Sequence, residues 1–385
     1  RANAAFHADE TAPATSNHIV HLVPSPDQSD ILTYHKADVP EPSGPTMDLT
    51  ATNIVIATGA KPRPLPGNPF AGALIDSTQA LEVNEFPSSA VIIGAGAIAL
   101  EFASMWNAAG SKVTLLIRKD RVLSAWDRRA GTTLTRELKR HGVNIITRAS
   151  VTHVDTGANL GATVHYTREG QDGEQSVWGE IALVAIGRDP ITDPAWGVTI
   201  DDHGHVATDA YGRTDKPGVW AVGDVTAGHA LAHRAFEQGI VIAETIAGLN
   251  PKPVDEATVP QIVFSFPEAA SVGLTVEQAQ AREDLIEIKE TNYPMLANAR
   301  MLMSGTAGSL TIVSGCDATN PDTPRVLGVH MVSQMASDII AEAEQLVGNR
   351  VPLADAARLV HPHPTFSETL GEALLKADGR PLHTR

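Results

Sequence analysis

Near the C-terminus the chain reads His361-Pro362-His363-Pro364-Thr365-Phe366-Ser367-Glu368, which places a histidine five residues before a carboxylate. Imidazole suits proton transfer because its ordinary pKa lies near neutrality. A carboxylate on the other ring nitrogen orients the ring and stabilises its protonated form. His363 and Glu368 are therefore the candidate base and its orienting partner, while His361 reads as structural. The spacing Thr365-x-x-Glu368 is also that of a capping box for a following helix, and by pattern alone capping is the stronger reading. One carboxylate has few acceptor sites, so both roles can hold only in part.

A second group of residues has spacing suited to phosphate. Gly94-Ala95-Gly96-Ala97-Ile98-Ala99 lies between a strand-like run and a helix-like run. Gly94 would permit a tight turn, Gly96 would let the backbone approach a pyrophosphate, and Ala99 is small enough for close helix–strand packing. The anion would then meet free N–H groups at a helix N-terminus. The next strand ends in Arg118-Lys119-Asp120-Arg121. A guanidinium there binds a ribose 2′-phosphate, whereas a carboxylate binds the free diol. Arg118 thus weighs toward NADP and Asp120 toward NAD. A further run, Gly218-Val219-Trp220-Ala221-Val222-Gly223-Asp224, ends in a Gly-Asp pair, with Leu231-Ala232-His233 opening a helix just beyond. Close backbone approach at Gly223 and a hydroxyl-binding carboxylate at Asp224 suit a second nucleotide.

These residues need elements to position them. The order β-α-β over Ser89–Ile93, 97–109 and 112–117 implies a parallel pair with a right-handed crossover. A helix over 128–141 and strands over 144–147 and 180–186 continue it, around an antiparallel stretch with turns at Gly157, Gly170 and Gly173. One buried strand is expected over 49–57, short strands over 197–224, and a helix over 231–247. After Pro251-Lys252-Pro253 the texture becomes α+β. Strands are expected there over 262–266, 285–293, 309–314 and 326–332, with helices over 275–281 and 337–347.

The bulk numbers exclude several classes. A net charge of −16 disfavours nucleic acid or an anionic membrane as partner. No apolar run approaches the roughly 20 residues that cross a bilayer, and no signal-peptide pattern opens the sequence. A single cysteine, Cys316, fits a reducing cytoplasm and excludes a disulfide framework within these residues. No metal-ligand spacing stands out. The polar, Pro-rich opening over 2–45 carries one strand-like run, 17–23, and reads as part of a processed or truncated chain.

Taken in order, Ala57-Thr58-Gly59, the Gly94–Ala99 fingerprint with Glu101, Gly187-Arg188, Ala221–Asp224 and Leu231–His233 resemble the pyridine nucleotide–disulfide oxidoreductases. The resemblance runs from about residue 17 to 376, and His361–Glu368 is similar to the dihydrolipoamide dehydrogenase version of the family's C-terminal motif. It implies an α/β fold with two Rossmann-like nucleotide-binding domains and a C-terminal α+β dimerisation domain. The expected division is 1–70 and 191–257 for FAD, 71–190 for NAD or NADP, and 258–385 for the interface. It also implies FAD lying against the Gly223-Asp224 segment, with Asp224 on a ribityl oxygen and the backbone of Ala232 and His233 at the flavin ring. Glu101 would lie near the nicotinamide, and Thr58, Gly59, Gly187, Arg188 and Leu231 are further cofactor-binding positions. In a homodimer, His363 with Glu368 as its partner would serve the other subunit. The substrate would be a lipoyl-bearing protein or a small disulfide or dithiol. The family's Cys-x4-Cys pair and N-terminal Gly-rich loop are not in this sequence, so the chain is expected to be the C-terminal part of such an enzyme. The alternatives are a non-catalytic nucleotide-binding protein and an NADPH-dependent reductase of the glutathione reductase type.

Overall fold

The computed structural model describes residues 3–7, 18–23, 47–157 and 161–384. The expectation for 2–45 therefore falls largely outside the described residues, although His18–Val23 is a strand. The chain divides into two compact units, one of residues 1–61 with 188–256 and one of 62–187 with 257–385.

The second unit contains a five-stranded parallel sheet in the order Leu74–Ile75, Ile181–Val184, Ser89–Ile93, Lys112–Leu116, Asn144–Ile146. Strands buried on both faces carry continuous apolar runs, as Ala90-Val91-Ile92-Ile93 and Leu115-Leu116-Ile117 do. Helix Ala97–Ala108 lies against this sheet, with Leu100, Ala103 and Trp106 fully buried beneath it. Helix Arg128–Arg140 follows, started by the buried Asp127 carboxylate accepting the Ala130 N–H at 2.8 Å. Strands Ala149–Asp155, Ala162–Arg168 and Gln175–Gly179 form the expected antiparallel insert.

The same unit holds a five-stranded antiparallel sheet in the order Gln261–Val263, Glu268–Gly273, Asn320–Ser333, Ser309–Asp317, Leu285–Pro294. Helix Ala336–Gly348 packs over its centre and helix Glu368–Ala377 over Leu285–Pro294 and Ser309–Asp317. The strand expected over 262–266 stops at Val263. The N–H groups of Phe264 and Phe266 instead donate to Glu101 Oε1 at 3.0 Å and Ser104 Oγ at 2.8 Å, both on the Ala97–Ala108 helix. Side-chain acceptors thus replace the ladder. Strand Glu268–Gly273 was not expected, because Glu-Ala-Ala-Ser-Val-Gly has little β-propensity. It is paired on both edges, so tertiary pairing rather than propensity makes it a strand.

In the first unit, Ile54–Ile56 pairs in parallel with Val219–Ala221, and helix Ala232–Ile246 follows. The single strand expected over 49–57 is two. Met47–Ala51 pairs with His18–Val23, and the chain breaks at Thr52-Asn53 before joining a different sheet. Asn53 Oδ1 accepts the Trp220 indole N–H at 2.9 Å, so the break itself carries a contact. Among the strands expected over 197–224, only Val219–Ala221 forms; the remainder makes isolated bridges. No helix among the described residues is long and apolar enough to cross a membrane.

Candidate nucleotide and proton-transfer sites

The fingerprint turn joins Ser89–Ile93 to Ala97–Ala108, and its two glycines are needed for different reasons. Gly94 has φ +145°, and a Cβ there would collide with the Ala185 carbonyl oxygen. The strand-to-helix turn alone demands that glycine. Gly96, the N-cap, has φ −92° and ψ −176°, which any residue adopts, and a Cβ built on it meets nothing within 4 Å. The fold does not require Gly96, and the helix N-terminus beside it is open. The N-cap makes no side-chain hydrogen bond, so the first-turn N–H groups remain available to an anion. Ala99 is wholly buried, and its Cβ would lie 3.3 Å from a Cβ added at Gly94. A dinucleotide pyrophosphate fits this cradle.

Arg118 and Lys119 leave the sheet exposed, and Arg118 has no hydrogen bond or ion pair among the described residues. Asp120 lies 3.3 Å from Arg121. Glu101 accepts the Phe264 N–H through Oε1, so its observed contact ties the fingerprint helix to the segment after Val263. The Gly187 carbonyl accepts the Arg63 N–H at 3.0 Å.

Arg188 belongs to the first unit. Its guanidinium donates to the Ala60 carbonyl and stands 4.0 Å from the Asp224 carboxylate. Thr58 Oγ1 donates to the Ile191 carbonyl at 2.6 Å, and Gly59 accepts the Ile191 N–H at 2.8 Å. These contacts brace the turn after Ile54–Ile56 beside the one that ends Val219–Ala221. Gly223 has φ +76° and opens a short 3-10 turn that presents Asp224 partly exposed. Leu231 caps helix Ala232–Ile246 without a side-chain bond, and Ala232 and His233 are exposed in its first turn. A positive-φ glycine, an accessible carboxylate and a bare helix start fit the polar edge of a flavin nucleotide. Two supports lay beyond sequence reasoning. Gln238 Oε1 accepts the Gly223 N–H at 3.0 Å, and buried Arg234 is locked on Glu256 at 2.6 Å. The only signal was their one-turn spacing on the helix.

The third site lies at the start of Glu368–Ala377. His363 Nδ1 is 2.8 Å and 3.0 Å from the two Glu368 oxygens, which makes it the N–H donor of this pair. Nε2 has no partner among the described residues, on a side chain 64% exposed and so open to a reactant. Thr365 Oγ1 accepts the Glu368 N–H at 3.2 Å, giving half of the capping box. The glutamate side chain does not complete it, because both oxygens are turned to the imidazole. Beneath them Tyr293 is buried. Burial, with Glu372 and Glu368 adding to it, pushes its hydroxyl up to about 12, so it stays protonated.

His361 is structural here. Nε2 donates to Glu342 at 2.9 Å, and that bond raises its pKa against the opposing effect of burial. A Cβ at Gly371 would collide with its ring, so the glycine makes room for it. Cys316 is fully buried in Ser309–Asp317, and burial pushes its thiol up. It is no thiolate nucleophile.

Parallel and antiparallel domains with a fingerprint turn, a Gly-Asp turn and a His–Glu pair define a nucleotide-dependent oxidoreductase. Residues 17–239 match the family pyridine nucleotide-disulphide oxidoreductase, and residues 259–374 match its dimerisation domain. The chain belongs to this family of flavin- and nicotinamide-dependent enzymes. It is 37% identical over 341 residues to a dihydrolipoyl dehydrogenase of Cupriavidus necator, covering 87% of this chain and 70% of that one. A dihydrolipoyl dehydrogenase of Bacillus subtilis is 36% identical with the same coverage. Among solved structures it is similar to LpdA of Mycobacterium tuberculosis, with a TM-score of 0.80 and 26% identity over 97% of this chain and 76% of that one. It is also similar to RclA, an HOCl-induced flavoprotein disulfide reductase of Escherichia coli, with a TM-score of 0.75 and 26% identity over 86% and 74%.

Proposed function

We propose that the chain carries the nicotinamide-binding and proton-transfer parts of a dihydrolipoyl dehydrogenase, oxidising a dithiol to a disulfide while NAD(P)+ becomes NAD(P)H. The observation that carries this reading is the His363–Glu368 pair, held on both carboxylate oxygens with Nε2 left open. A protein that only bound nucleotides would gain nothing from it. The overall balance is dithiol plus NAD(P)+ giving disulfide, NAD(P)H and one proton. His363 Nε2 takes a thiol proton as the sulfur becomes a nucleophile, and Glu368 stabilises the charged ring. Helix Ala97–Ala108 holds the dinucleotide through its first-turn N–H groups. Asp224 and the start of Ala232–Ile246 hold FAD, which when bound supplies a two-electron relay between sulfur and nicotinamide. The reaction needs two sulfurs, and these 385 residues contain one buried cysteine. The redox disulfide of this proposal therefore lies outside them.

The match to the dimerisation domain supports a homodimer in which His363 and Glu368 serve the partner's site. The four-part division at 70, 190 and 257, lipoyl groups as substrate, and a cytoplasmic location belong to the same proposal. The unpartnered Arg118 favours a second version, an NADPH-dependent reductase running disulfide to dithiol.

The test is lipoamide-dependent NAD(P)+ reduction by the flavoprotein that contains this chain. His363→Gln should lower kcat/KM by about 100-fold or more with the visible flavin spectrum unchanged. A flavin-free protein, or a variant as active as the wild type, would overturn the reading.

A further inference from the structure

The antiparallel insert carries chemistry that neither nucleotide site uses. His153 and His165 are direct cross-strand partners on Ala149–Asp155 and Ala162–Arg168. Their rings stack with centroids 4.1 Å apart and planes 8° from parallel. At one edge of the stack, Asp155 Oδ2 lies 3.1 Å from His165 Nε2 and 3.8 Å from His153 Nε2. At the other, Glu174 Oε1 lies 3.8 Å from His153 Nδ1 and Oε2 lies 3.7 Å from His165 Nδ1. The Thr152 hydroxyl donates to Glu174 Oε1 at 2.6 Å and holds that carboxylate in place. The opposite face of the insert is apolar, with Ala162, Val164 and Tyr166 buried, so the sheet fixes the outward face that bears the cluster.

Only one of these ring–carboxylate contacts is a hydrogen bond: His165 Nε2 is 3.1 Å from Asp155, while the other three separations are 3.7–3.8 Å and His153 Nδ1 has the Thr152 hydroxyl at 3.4 Å. The Nε2 edge of His153 is therefore without a hydrogen-bond partner among the described residues. A divalent cation at the Nε2 edge would draw both rings out of the face-to-face stack, since an imidazole lone pair lies in its ring plane, and would bring both Nε2 atoms and Asp155 onto one ion.

We propose that His153, His165 and Asp155 bind a divalent transition cation of the zinc(II) class. One donor atom from each of the three residues lies within 4.8 Å of the others, a spread that one ion can span. Two imidazoles and one carboxylate suit zinc(II), whereas magnesium and calcium favour all-oxygen sets and copper(I) favours sulfur. Three protein ligands leave a fourth position for water. The residues are accessible from solvent, His165 least at 22% and Asp155 most at 66%, so an ion can reach them. The site is independent of the proposed oxidoreductase activity, and its readout is metal binding.

The experiment is calorimetric titration of zinc(II) into the tag-free flavoprotein that contains this chain, repeated with magnesium. One zinc should bind per chain and magnesium should not. His153→Ala and His165→Ala, on separate strands, and Asp155→Asn should each weaken zinc by about tenfold or more. The paired variant His203→Ala with His205→Ala, at another histidine cluster, should leave zinc binding unchanged. Equal far-UV spectra and melting temperatures without zinc separate lost ligation from lost folding. A wild-type chain that titrates no zinc, or a His153→Ala/His165→Ala double variant that binds it as the wild type does, would overturn the proposal.

Discussion

Glu368 shows how one side chain is allotted between two roles, of which the sequence pattern alone favours capping. Its backbone N–H is capped by Thr365, while its carboxylate faces His363 with both oxygens. The helix starts at Ser367 without a side-chain cap, so the carboxylate is held by the imidazole while the Thr365 hydroxyl takes the Glu368 N–H. Arg118 poses the other residue-scale question. It follows strand Lys112–Leu116, exposed and without a partner among the described residues, while the nearby Asp120 is drawn to Arg121. If Arg118 meets a 2′-phosphate, Arg118→Glu should weaken NADPH about tenfold or more relative to NADH. Dissociation constants from fluorescence titration decide this. An unchanged ratio would take Arg118 out of cofactor choice.

At the scale of elements, the turn between Ser89–Ile93 and Ala97–Ala108 separates folding from binding within three residues. Gly94 is demanded by its own φ and by the Ala185 carbonyl, so a side chain there costs stability. Gly96 is conformationally ordinary and open, so a side chain there costs only ligand. Gly96→Glu should therefore leave the melting temperature nearly unchanged. Its carboxylate should weaken dinucleotide binding by about 100-fold, through occupancy and charge at the helix N-terminus. A variant that melts normally and still binds NAD(P)H would show that the cradle is not the pyrophosphate site. The same helix also ends a strand of the neighbouring sheet, since Glu101 and Ser104 take the N–H groups of Phe264 and Phe266. Glu101 thus has a structural duty that any role near the nicotinamide must share.

At the scale of the whole molecule, the proposed dimer divides each active site between two chains, with the nucleotides on one and His363 on the other. This can be checked by complementation. A Gly96→Glu chain and a His363→Gln chain are each expected to be nearly inactive alone. A mixed dimer should pair one intact nucleotide site with one intact histidine. Random reassociation of equal amounts then places one working site in about half of the dimers, and about a quarter of wild-type activity should return. Steady-state rates before and after unfolding and remixing give the answer. No recovery, with mixed dimers demonstrated by mass, would place His363 at its own chain's site.

The sequence alone determined the parts whose signal is local. The fingerprint turn, the Gly-Asp turn, the parallel core strands and the histidine motif are set by neighbouring residues, through φ preference, apolar runs and helix starts. Tertiary structure decided whatever depends on a partner far along the chain. The break at Thr52-Asn53 lies inside one apolar run and is visible only because the two halves pair in different sheets. Glu268–Gly273 is a strand because both of its edges are paired. Gln238, which secures Gly223, and the His153–His165 stack arise from side chains brought together across turns and strands. The division at Glu368 belongs here too. Its sequence offered a cap and a histidine partner within the six residues 363–368, the family resemblance pointed to the histidine, and the folded geometry gives both oxygens to it. A carboxylate with limited lone pairs goes where a donor is held at 2.8 Å, and spacing alone does not hold it there.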